Sequence, residues 1–528
     1  MTPDHRPFPW RSRRQDGFTL IELLVVIVIL GVLSAIVVFS VRGIGDKGRE
    51  QAVAADAATL RTAEESYCAK HGHYGTVDDL KADGLLAGEP VYNMVVVGEE
   101  NKCGRGEKSS FALNDTSTPT ERAGDPIPVG ANPTDIAVDE KTDRVYVVAA
   151  ADNNVTVIDG KTDKVIGAPI GLSGTGVSNP THIAVNPANG RVYVGGAGGV
   201  AIIDTANGNQ VIPVGGYSTT VTGLAVSPEN GEVYVAGGNG VGSAVAYIAA
   251  DGASATKVVL PAVGLASATA GGGVDFAFDA VHHAVYFTKA GVGSGTSPTA
   301  TIGLFAVSSQ THEARVVVDF PTKSGCAAAG NLLFANSARG SVAVDPLRNR
   351  VYLLARRCLP NPSNPSGAWK QVATTIAVDP GNGTSTPIDD PGGTTYIPNS
   401  VVYNAAAGAV YVYLNGGAGC GDGAGGRIDR IVGTTVMGQA PVCGMSSAPG
   451  NGAHKMAMLK NFNRVFVAQH ADGSPGGLGV ADGGTLLVQA PLGAPGLFGS
   501  LAANDATGKV YAINVAKATV AVFRTGSA

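Results

Sequence analysis

Residues 132–147 read NPTDIAVDEKTDRVYV: an alternating apolar run, a polar turn, and a second apolar run ending in Val145-Tyr146-Val147. Alternation at period two places every second side chain on one face of a strand, and the Asp-rich stretch between the runs has the composition of a tight turn. The pattern returns as NPTHIAVNPANGRVYV (179–194), TVTGLAVSPENGEVYV (220–235), GGVDFAFDAVHHAVYF (272–287), RGSVAVDPLRNRVYL (339–353), PNSVVYNAAAGAVYV (398–412), AHKMAMLKNFNRVFV (453–467) and GSLAANDATGKVYAI (499–513). Its aromatic position falls at Tyr146, Tyr193, Tyr234, Tyr286, Tyr352, Tyr411, Phe466 and Tyr511, at intervals of 41 to 66 residues. A repeat of this period describes units that cannot bury their own apolar faces and must stack on their neighbours.

Each complete unit supplies two further strand-like runs, as in NVTVIDGKTDKVIGAPI (154–170) and GVAIIDTANGNQVIPVG (199–215). Four short antiparallel strands per unit is the make-up of a propeller blade. The Val-Tyr-Val of residues 145–147, 192–194 and 233–235 resembles the YVTN-type β-propeller family, and the resemblance covers residues 127–526. Eight copies predict eight blades; seven, common in that motif family, is the alternative. The last copy has only three strands, and Ile127-Pro128-Val129 matches the missing fourth, so the amino-terminal strand is expected to close the ring and remove its edges.

At the other end of the chain, Arg6, Arg11, Arg13 and Arg14 precede an apolar run from Phe18 to Val41 whose one charged residue is Glu22. Its 24 residues exceed the ~20 that a helix needs to cross a bilayer, and the arginines hold the leader on the cytoplasmic side. A carboxylate at that depth is expensive in lipid and calls for a specific partner. The stretch GFTLIELLVVIVILGVLSAIVVFSV (17–41) is similar to the cleavage and methylation signal of type IV pilins and type II secretion pseudopilins. The resemblance implies cutting by a prepilin peptidase after Gly17, N-methylation of Phe18, and pairing of Glu22 with the terminal amine of a neighbouring subunit during assembly. Phe39 stands where the family often has proline, so no helix break is expected there.

The alanine-rich segment 49–70, without glycine or proline, continues that helix out of the membrane. Residues 71–113 then supply a turn, a short helix and the first strands of a small pilin-like α+β head. The expected organisation is a leader peptide (1–17), a pilin-like helix and head (18–113, transmembrane over 18–41), a polar linker (114–126, NDTSTPTERAGDP) and an all-β propeller (127–526). His71 and His73 read as part of a polar turn, and no cofactor or metal is expected.

The six cysteines fall into three local pairs, Cys68 with Cys103, Cys326 with Cys358 and Cys420 with Cys443, as suits disulfides in an oxidising exterior. The four in the propeller belong to long insertions that precede a first strand or follow a second, and such connections emerge on one face of an up-and-down blade. Stapled loops there suggest a binding surface for a surface ligand or protein. At the channel mouth on that face the aligned positions include Asp135, His182, Asp275 and Lys455, a candidate ligand ring with a solvated funnel as the plainer alternative.

A net charge of −5 argues against nucleic acid as a partner. Nothing assembles a nucleophile with a base: G-x-S-x-G, H-E-x-x-H and phosphate-loop patterns are missing. The expected function is a pilin-like filament subunit, minor or at the tip, displaying the propeller for adhesion or partner binding. It would be anchored in the cytoplasmic membrane before assembly with other pilin subunits and their machinery, and exposed at the cell surface afterwards. A type II secretion pseudopilin handling exported cargo is the second reading. A membrane-tethered propeller enzyme using Asp135, His182, Asp275 or His454 is the third.

Overall fold

The structure, a computed structural model, describes residues 55, 56, 58–88, 90, 93–97, 103, 111–115 and 120–525. Within the last range it omits 238–243, 259–273, 292–298, 324–331, 335–341, 361–368, 390–396, 416–424, 444–455, 469–476, 485, 487 and 494–497. The leader, Phe18 to Val41 and Glu22 therefore lie outside the described residues, and among those described no helix is long and apolar enough to cross a membrane.

Eight blades surround a central axis. Their innermost strands are Pro133–Asp139, Ser178–Val185, Val221–Val226, Phe276–Asp279, Val342–Asp345, Ile397–Asn404, Met456–Leu459 and Phe498–Asn504, one from each sequence copy. Blade 6 shows the common plan, Ile397–Asn404, Ala409–Asn415, Gly425–Val432 and Thr435–Cys443 paired in order as an antiparallel meander. Blades 4 and 5 are joined into one sheet by Leu332–Phe334, which pairs with the outer strand of blade 4 and the second strand of blade 5.

The turn between first and second strands explains why degenerate copies still fold alike. The residue three positions before each motif aromatic has a left-handed backbone in all eight blades: Asp143, Gly190, Gly231, His283, Asn349, Gly408, Asn463 and Gly508. Asp, Asn and Gly tolerate that conformation best. A short polar side chain at the end of the first strand caps the same turn. Asp139, Asn186, Asp279, Asp345, Asn404 and Asn504 each accept from the backbone N–H two residues on, at 3.0–3.1 Å. Blade 7 has Leu459 at that place and makes a short 3-10 turn, Lys460–Phe462, instead.

Blades hold together through apolar clusters drawn from two neighbours at a time. Tyr146 and Val148 of blade 1 pack with Ile183 and Val192 of blade 2, and equivalent clusters occupy all the other junctions, including blade 8 to blade 1 through Ile127, Ile136, Tyr511 and Val520. Every motif aromatic is at most 2% exposed. Burying a side chain of that size contributes about 1.5–3 kcal/mol. Two of the tyrosines add a polar link: Tyr352 donates to the Gly433 carbonyl and Tyr411 to the Gly483 carbonyl, both at 2.8 Å, fastening the outer turn of the next blade. Phe466, the copy without a hydroxyl, faces blade 8, whose third and fourth strands come from opposite ends of the chain and have no turn between them.

That fourth strand is Thr120–Pro128, antiparallel to Thr519–Thr525, with Ile127 opposite Val520 and Pro128 opposite Thr519. Closure by the amino-terminal strand is as the repeat pattern predicts, but the strand begins earlier. The stretch 114–126 is largely strand rather than linker: it holds the end of Phe111–Asp115 and most of Thr120–Pro128, leaving only 116–119 between them.

Ahead of the ring, residues 58–71 form a helix (α1), followed by α2, Val77–Ala82, and a hairpin of Asn93–Val97 with Phe111–Asp115. Thr76 caps α2 in a reciprocal box: its Oγ1 accepts from the Asp79 N–H, while Asp79 Oδ2 accepts from the Thr76 N–H. Leu60, Ala63, Tyr67, Val77 and Leu80 form the core of this small head, and Cys68 is bonded to Cys103.

Candidate functional site

Strand direction divides the propeller into two unlike faces. First strands end and second strands begin on one face, joined by the tight capped turns; this is the turn face. Every omitted segment from 238 to 497, apart from residues 485 and 487, connects strand ends on the opposite, loop face. The long insertions read from sequence thus share one face by topology.

At the centre of the loop face the starts of the inner strands enclose a cavity of about 230 Å³ bordered by Asp135, His182, Gly223, Asp275, Ser400 and Met456. Three of the four expected ring residues are therefore brought together, and Lys455, like His454, lies outside the described residues. The volume is below the roughly 300–1,000 Å³ of drug-sized ligand pockets, so only something small would enter it. Asp135 already works as a clamp between blades. Its Oδ1 accepts from Ser500 Oγ of blade 8 at 2.6 Å and its Oδ2 from the Ile183 N–H of blade 2 at 3.2 Å. His182 is held by Thr181 Oγ1, 2.7 Å from Nδ1. Among the described residues no group of three or more His, Cys, Asp or Glu is arranged to hold a metal ion.

The cysteines behave in part as expected. Cys68–Cys103 is a disulfide of the head, and Cys358, buried in the second strand of blade 5, is disulfide-bonded. Cys326 and Cys420 lie outside the described residues, as does the Cys443 side chain, and so do Gly17, Phe18 and Glu22.

The head occupies the turn face. Asp78, in the first turn of α2, pairs with Arg430 near the end of the third strand of blade 6 at 2.9 Å, both side chains at most 10% exposed. The same carboxylate receives Lys81 Nζ at 3.1 Å. Arg348 of blade 5 donates to the Gly408 carbonyl at 2.8 Å, fixing the blade 6 turn beneath Thr76. The head hairpin lies against the Lys460–Phe462 turn of blade 7. Sequence reasoning gave no role to Asp78 or Arg430, because a pair separated by 352 residues leaves no local pattern. Inside the head, Glu64 is fully buried; its Oε2 accepts from the Gly75 N–H at 3.0 Å and burial pushes its carboxyl up to about 7.

Residues 12–38 match the prokaryotic N-terminal methylation motif. This segment is a prepilin-type signal. The amino-terminal part of the chain is similar to type II secretion system core protein G, 40% identical over 68 residues to that of Aeromonas hydrophila and 42% over 66 residues to that of Klebsiella pneumoniae. Those matches take in 13% and 12% of this chain and 48% and 47% of the relatives, so the chain spans about half the length of the curated relatives it matches. Over 75% of the chain, the fold is also similar to 96% of a chain of Kuenenia stuttgartiensis hydrazine synthase, at 14% identity and a TM-score of 0.41, a likeness too slight to bear on function.

Proposed function

We propose that this chain is a subunit of a type IV pilus-like or type II secretion filament, minor or tip-located, that carries a propeller for adhesion or partner binding. The observation that carries the reading is the combination of a match to the prokaryotic N-terminal methylation motif at 12–38 with a small α+β head seated on the turn face. A propeller held by one face presents the other, and the long insertions all belong to the face left open. A prepilin peptidase would cut after Gly17 and methylate Phe18, and Phe18 to Val41 would hold the chain in the cytoplasmic membrane until assembly. Glu22 would then neutralise the terminal ammonium of its neighbour, which relieves much of the cost of a carboxylate in hydrocarbon. The role is structural rather than enzymatic, with Asp135 engaged in joining blades.

Similarity to core protein G favours a second reading, in which the loop face handles exported cargo of a secretion system. Both readings require incorporation into a filament. The test is Glu22→Gln, which keeps volume but removes the charge. Membrane insertion and propeller folding should be unchanged while the amount recovered in sheared filaments falls at least tenfold; undiminished incorporation would reject the filament role. A type II secretion operon deleted in the host then separates the two readings by whether surface display survives.

A further inference from the structure

The described part of the head has a small apolar core. Among the described residues Leu60, Ala63, Tyr67, Val77 and Leu80 form one cluster with Leu85 and Leu86 half-covered, and Cys68 and Tyr74 are also buried. Domains this small ordinarily need a staple or a partner, and the Cys68–Cys103 bond is one staple. We propose that the turn face of blades 5 to 7 is the partner: a docking surface that completes the fold of the pilin-like head, so that the head stays ordered only while seated on the propeller.

Three features of the seat are shaped for this occupant. The first is charge. Asp78 stands in the first turn of α2, and the propeller meets it with Arg430, while Arg348 holds the blade 6 turn beneath the α2 cap. A buried ion pair is strongly destabilising to break from one side, because the charge left behind has lost both water and partner. The second is shape. Gly408, with a left-handed backbone at φ +56°, sits where an added Cβ would lie 3.0 Å from Thr76 Cγ2, so the blade 6 turn approaches the α2 cap as closely as a bare backbone allows. The third is extent. The head hairpin rests on the Lys460–Phe462 turn, the one first turn that departs from the capped form of the other blades.

The inference holds whether or not the chain enters a filament. It also fixes the orientation of the propeller, since a seat across three blades leaves no freedom to swing about residues 116–119.

The test uses the full chain in detergent with a protease site placed in 116–119, so that after cutting Thr120–Pro128 remains in blade 8 and only the seat holds the head. The cut chain should elute as a single particle, with amides of residues 58–71 as protected from hydrogen exchange as in the uncut chain. Asp78→Ala, and independently Arg430→Met to guard against a misfolded head variant, should speed exchange there at least tenfold while the strands of blades 1 to 3 stay protected. A head that separates on cutting yet keeps its protection would overturn the proposal. So would head protection in both variants equal to that of the parent chain.

Discussion

The hydroxyls of Thr120 and Thr525 hydrogen-bond across the outer edge of blade 8, joining residues 405 positions apart in the chain. From that contact the closing strand runs antiparallel to Thr519–Thr525 and brings Ile127 into the cluster between blades 8 and 1. Ile127 is 5% exposed, so Ile127→Ala should lower propeller stability by about 2–4 kcal/mol in denaturant unfolding. Deleting 120–128 should do more: the edge of Thr519–Thr525 becomes available to other chains, and aggregation should appear in light scattering. A soluble, equally stable ring after the deletion would show that closure lies elsewhere.

Tyr352 and Tyr411 serve two purposes, as buried rings and as donors to the next blade, and the second can be isolated. Tyr411→Phe keeps the buried ring but removes the donor to the Gly483 carbonyl, so it should cost about 1–3 kcal/mol by leaving that acceptor buried and unsatisfied. Phe466→Tyr should bring no gain, since blade 8 lacks the turn that a hydroxyl would fasten. Chemical denaturation of both variants measures the difference.

Blade number and ring closure were legible because the evidence for them is local and repeated. Even GSLAANDATGKVYAI keeps the alternation, the left-handed residue at Gly508 and the buried aromatic at Tyr511. Residues 120–126 were not legible as strand: Thr-Glu-Arg-Ala-Gly-Asp-Pro has a loop's composition, and its pairing partner is supplied by the far end of the chain. The seat of the head was hidden for the same reason, since neither Asp78 nor Arg430 stands out from ordinary surface charge until the fold brings them together. Asp135 was found by alignment of the copies, yet its bonds to Ser500 and Ile183 depend on blade packing that no single copy encodes.

Glu64 makes the head sensitive to pH. Its carboxyl titrates near 7 in the fold against an ordinary value of 4.5, so the folded head holds that proton more tightly than the unfolded chain. The resulting stabilisation is complete below about pH 4.5 and is lost as pH rises through 7, an effect on the order of 3 kcal/mol. Glu64→Gln should remove that loss, leaving the head more protected from exchange at pH 8 than the parent chain. A parent head equally protected at pH 5.5 and pH 8 would show that Glu64 is not the group responsible.

The loop face is expected to be stapled by Cys326–Cys358 and Cys420–Cys443, each joining connections on the same side of the ring. Non-reducing peptide mapping should recover both pairs together with Cys68–Cys103. Recovery of Cys358 with Cys420 or Cys443 would replace this connectivity.

Assembly into a filament requires the signal at Gly17 to Glu22 to be used. Intact mass and amino-terminal peptide analysis of the surface-exposed protein should find a chain that begins at Phe18 and carries one additional methyl group on its terminal amine. A mature chain that begins at Met1, or well beyond Phe18, would contradict the account.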